Sequence, residues 1–151
     1  MKTNMNSEDS LQGFGESKTK IVKSNPILNM CFDFKELNFI GSFRFNNLPF
    51  NARYLDNLRN YKDLCEANAI KFSGKSKNLN DELYNSVVKF LNDAEGNFFA
   101  DGRGNYTLCQ EWKLIDKAKY LKVSRTLNDD LQEIWDRYFE LLRQLKKGKD
   151  E

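Results

Sequence analysis

Gly74–Lys75–Ser76, directly ahead of an amphipathic run, is the triplet most suggestive of chemistry. In a phosphate-cradling loop, backbone amides and the Lys hold phosphate oxygens while Ser or Thr holds magnesium. That pattern needs another Gly five positions before Gly74, where this chain has Ala69, and it needs a strand leading in. The preceding segment reads as helix, so the triplet is expected to be a solvated loop feeding a helix start. The acidic, Gly-rich stretch from Asn92 to Asn105 invites a calcium reading. Counted from Asp93, however, position six is Phe98 rather than Gly and position twelve is Gly104 rather than Glu. Asp129 and Asp130 could share acid–base work, but in a first helical turn they would serve the helix dipole.

The chain has no His. That removes the imidazole base of Ser-His-Asp and Cys-His sites and the His ligands of zinc and iron sites. Cys31, Cys65 and Cys109 are far apart and form no C-x-x-C pair, so they are expected to be free thiols acting as small core hydrophobes. No catalytic residue, cofactor, metal or small-molecule substrate is expected. An enzyme working through Asp, Glu, Lys or Tyr alone has no residue to nominate.

At 151 residues the chain suits one domain, and 40% hydrophobic with 30% charged residues suits a globular one. The net charge of +2 gives no global field, so any basic patch must be local. The N-terminus lacks an apolar signal region and no apolar run reaches the length of a membrane span. A cytoplasmic protein with no membrane partner is expected.

Residues 1–24 are polar with scattered apolar positions and read as a disordered tail, leaving 25–151 as a single domain. Leu28, Met30, Phe32 and Phe34 alternate with Asn29, Cys31, Asp33 and Lys35, and Phe39, Gly41, Phe43 and Phe45 alternate with Ile40, Ser42, Arg44 and Asn46. Period two predicts two strands of an aromatic hairpin turning near Glu36–Asn38, with Gly41 leaving a gap or marking a bulge. Pro49 suits a helix start, and Tyr54, Leu55, Leu58, Tyr61, Cys65 and Ala69 line one face of a helix over 51–69. Ile70 and Phe72 suggest a short strand. Asn78 is expected to cap a helix carrying Leu79, Leu83, Tyr84, Val87, Phe90 and Leu91, with Gly96 at or after its end. Asp101–Gly102 between apolar runs predicts a second hairpin. Residues 108–119 fit helix slightly better than strand. Thr126 is expected to cap a terminal helix reaching Lys147, with an apolar arc of roughly 160°. The expected fold is α+β: an N-terminal aromatic hairpin and a second hairpin packed with three or four helices, ending in a long amphipathic helix.

Two functional readings follow. The terminal stripe is wider than a coiled-coil seam. Trp135, Tyr138, Phe139 and Leu142 are therefore candidate partner-binding residues of a non-enzymatic protein-interaction module, a homodimer being one form of it. The alternative is nucleic-acid binding through Lys71, Lys75, Lys77 and Arg103, with the aromatic strands able to stack bases. A helix followed by an Arg-tipped hairpin resembles the recognition helix and wing of winged-helix proteins. One clear helix rather than two precedes it, and Asp81 and Glu82 near its start would repel phosphates. The family is not assigned.

Overall fold

A computed structural model describes residues 25–45 and 48–147; the polar tail expected over 1–24 lies outside the described residues. The chain runs α1 (Asn25–Cys31), α2 (Phe34–Ser42), β1 (Phe50–Asn51), α3 (Arg53–Glu66), α4 (Gly74–Ala94), β2 (Phe98–Ala100), β3 (Asn105–Leu108), α5 (Trp112–Ile115) and α6 (Lys117–Lys147). The strands form one small antiparallel sheet in the order β1-β3-β2. The fold is thus α+β, with a long C-terminal helix. Among the described residues no helix is long and apolar enough to cross a membrane.

The N-terminal hairpin is the main correction, for its residues form α1 and α2. The side chains that enter the core are Leu28, Cys31 and Phe32, then Glu36, Phe39 and Ile40. Both sets follow i, i+3, i+4 spacing, the helical rule. Met30 and Phe34, two of the residues that made the alternation, point outward. The local signal for α2 is its cap: Asp33 Oδ1 accepts a hydrogen bond from Glu36 N at 2.8 Å, in an Asp-x-x-Glu spacing. Gly41 is not a bulge. It lets α2 approach α6 so closely that an added Cβ would lie 2.3 Å from Trp135 Cζ3.

The second hairpin forms as expected. Phe98, Phe99 and Ala100 pair with Leu108, Thr107 and Tyr106. Asp101 Oδ1 accepts from Arg103 N (2.7 Å) and Asn105 N (3.2 Å), and Gly102 and Gly104 take the positive φ values the turn needs. β1, unforeseen, adds a third strand through Phe50↔Tyr106 and Asn51↔Asn105. α3 therefore starts after β1 rather than at Pro49. Ile70 is buried without joining a strand, and α4 starts at Gly74 rather than after Asn78. The residue just past the end of α4 is Glu95, followed by Gly96 in a left-handed conformation, as expected of a C-terminal Gly. The terminal helix starts at Lys117, with Thr126 well inside it. Asp116 holds its first turn, accepting from Lys119 N at 3.1 Å.

The core has two parts. One is aromatic: Phe39, Phe45, Phe50 and Phe98 join α2 to the sheet, with Phe39 also stacked on Tyr54 of α3 at 4.5 Å and 8°. Such ring pairs add stability beyond the area they bury. The other part is the antiparallel pairing of α4 with α6, where Leu83, Val87 and Phe90 are buried, as are Leu127, Leu131, Ile134 and Leu141.

Candidate functional site

Residues 32–45 run antiparallel to α6. Phe45 N donates to Asn128 Oδ1 (2.7 Å), Gly41 lies under Trp135, and Phe32 packs on Tyr138 with ring centroids 4.8 Å apart. Ser124 Oγ also donates to the Phe45 carbonyl. This seam places the four candidate partner residues. Tyr138 turns inward and is buried, its hydroxyl pushed up to about 12 by desolvation, so it belongs to the core rather than to a docking face. Trp135, Phe139 and Leu142 are half-buried, with Trp135 and Phe139 in contact at 4.6 Å. Phe34 shares the helical face of Gly41, two turns before it. It is 83% exposed. The α2–α6 seam therefore carries an aromatic edge that its own domain covers incompletely. Phe34 escaped notice in the sequence because it was read as a strand residue; its place three before Leu37 and seven before Gly41 was the available signal.

Three of the four cations of the alternative reading lie close together, and Arg103 stands apart from them. Lys71 and Lys77 line an open hollow of about 510 Å³ together with Cys65, Ile70, Phe72 and Tyr84. Lys75 is exposed on the first turn of α4 beside them, and Lys77 is paired with Asp81 at 3.1 Å. Arg103 sits on the hairpin tip, which is tied to the opposite end of α3 by Ala52 N donating to Gly104 O at 2.9 Å. The 14 residues of α3 put about 20 Å between the two places. Phe32, Phe39 and Phe45 are buried in the core, whereas Phe34 of the same segment is exposed. Gly74–Lys75–Ser76 follows an irregular segment leaving a helix, not a strand, and Ser76 is buried.

Two buried carboxyls lie elsewhere. Glu36 is fully buried; Asn57 Nδ2 donates to its Oε1 at 2.8 Å, while Oε2 has no partner among the described residues. Desolvation pushes it up to about 8. Asp130 faces α4, where Lys89 Nζ donates to its Oδ1 at 2.8 Å. Burial and the neighbouring Asp93 carboxyl push it up to about 6, against the pull of Lys89. The same face continues as Ser86 Oγ donating to Glu133 Oε2 (2.9 Å) and Arg137 pairing with Glu82 (2.8 Å). These contacts set the register of α4 on α6. Glu36 and Asp130 are both buried among packed helices. Burial raises the thiols of Cys31, to about 11, and Cys65, which disfavours thiolate chemistry at either. Among the described residues no group of three or more His, Cys, Asp or Glu is placed to hold a metal ion.

Compared with known families, curated proteins and solved structures, the chain matches none.

Proposed function

We propose that this protein is a non-enzymatic protein–protein interaction module that binds through the α2–α6 seam, with a second copy of the chain as the simplest partner. The observation that supports this most is Phe34, a large apolar side chain left 83% exposed on α2, the helix that packs beside half-covered Trp135 of α6. Aromatic residues in incompletely covered patches are what interfaces use as anchors. Free Cys31, Cys65 and Cys109 fit a cytoplasmic setting.

Light scattering on the full chain over a concentration series tests the reading. A dimer that dissociates on Phe34→Ser with Leu142→Ser is expected. A strict monomer, unchanged by the substitutions, overturns self-association. A photo-crosslinker at position 34 that then captures no protein overturns the module as a whole. The nucleic-acid alternative has weaker support, because Arg103 is remote from Lys71, Lys75 and Lys77. Titrations with DNA and RNA at low and moderate salt test it, with loss on triple lysine substitution as its signature.

A further inference from the structure

The elbow where α5 meets α6 exposes large aliphatic side chains among cationic residues. Leu114 is 90% exposed, Ile115 78% and Leu121 46%. Such exposure means that the first two project from the surface rather than line a groove. In the sequence they are flanked by Lys113, Lys117, Lys119, Lys122 and Arg125, against Glu111 and Asp116 as the carboxylates of residues 111–125. Asp116 is engaged in capping α6. Leu121 has Lys117 one turn before it and Arg125 one turn after it on the same helical face. None of the five cations forms a salt bridge with another described residue. Lys113 and Lys119 instead lie over the rings of Tyr120 (5.3 Å) and Trp112 (4.3 Å), which braces the elbow.

We propose that the α5–α6 elbow docks the protein onto an anionic lipid surface, with Leu114 and Ile115 entering between headgroups and the flanking cations meeting lipid phosphates. Charge complementarity identifies the partner as anionic, and shape separates the kinds of anionic partner. A convex aliphatic tip gains nothing from a phosphodiester backbone. An acidic helix would need a groove to lie in. A bilayer interface accepts a small projecting apolar tip and attracts lysines around it. The site is separate from the α2–α6 seam, so it stands whether or not the seam binds protein.

Co-sedimentation of the full chain with vesicles tests this. Binding is expected to vesicles of equal parts phosphatidylcholine and phosphatidylserine, and not to phosphatidylcholine alone. Leu114→Ser with Ile115→Ser should weaken binding at least tenfold. Lys117→Ala with Lys122→Ala should weaken it roughly twenty-five-fold, about fivefold per charge. Both variants alter exposed residues, so thermal melts should match the parent and separate lost docking from lost folding. The proposal is overturned by no sedimentation, by equal binding to neutral vesicles, or by binding that both variants leave intact. It is also overturned if vesicles fail while an acidic peptide or an oligonucleotide binds the elbow.

Discussion

The two ends of α6 are built on opposite rules. From Asp130 onward, its polar side chains towards α4 have partners: Lys89 on Asp130, Ser86 on Glu133, Glu82 on Arg137. Its apolar side chains there pack against α2 and α4, with Leu131, Ile134, Tyr138 and Leu141 buried. At the start of the helix, past the end of α4, Lys117, Lys122 and Arg125 have no ion-pair partner among the described residues, and Leu121 faces outward. One helix therefore serves as a structural spine over most of its length and, apart from the buried Tyr120, as largely exposed surface at its first turns. Amphipathicity alone does not separate these roles. What separates them is whether a neighbouring element is long enough to cover the residue, and α4 ends at Ala94, opposite the segment that precedes Asp130.

The largest test of that contrast compares truncations of one residue type at the two ends. Leu131→Ala should cost about 2–5 kcal/mol through lost burial and a cavity, whereas Leu121→Ala should stay within about 0.5 kcal/mol. Denaturant melts of both variants measure this. Similar losses at both positions would break the comparison.

The packed body can be probed next through pH. Glu36 has its folded value raised to about 8 from an ordinary 4.5. The folded protein then keeps a proton that the unfolded chain has given up, so stability declines as pH climbs from about 4.5 to about 8. Glu36→Gln keeps an acceptor for Asn57 and removes the charge. It should flatten that decline and, at pH above 8, stabilise the protein by on the order of a few kcal/mol. Thermal melts across this pH range, compared with the parent, decide it. An unchanged slope in the variant would mean that Glu36 is not the titrating group.

The close contact between α2 and α6 comes third. Gly41→Ala places a Cβ within 2.3 Å of the Trp135 ring, on α2 backbone that has no special φ. Either the indole shifts or the helices separate, at about 1–3 kcal/mol. Pairing it with Trp135→Phe should recover part of the loss, since the smaller ring leaves room. Chemical denaturation of the single and double variants reads the coupling. Simple additivity would show that the two residues are not in contact.

These contrasts also mark what the sequence could show. α3, α4, the second hairpin and most of α6 were legible because burial there follows one uninterrupted period and the Asp101–Gly102 turn is local. Residues 28–45 were misread because Leu28, Met30, Phe32 and Phe34 alternate by chance, two of them being outward-facing residues of helices. The Asp33 cap on Glu36 N competes with that pattern and outweighs it, since it fixes the start of α2. The start of α6 was placed near Thr126 because the apolar stripe thins before Leu127. Backbone hydrogen bonding continues back to Lys117 regardless. Trp135, Phe139 and Leu142 were found as an edge, but Phe34 needed the register of α2 on α6, which no local pattern carries.

The smallest effect sharpens the comparison at its open end. Leu114→Ser with Ile115→Ser should leave stability within about 0.5 kcal/mol of the parent, because neither side chain loses a burial it has. Amide hydrogen exchange gives a second measure that does not depend on any ligand. Amides around Leu131 and Ile134 should open only with global unfolding, whereas those in the first turns of α6 should exchange by local fraying. If the elbow instead exchanges as slowly as the spine and its double serine variant melts well below the parent, something covers Leu114 and Ile115 in solution. The open surface would then be an interface already occupied, and light scattering on the same sample would tell whether the occupant is a second copy.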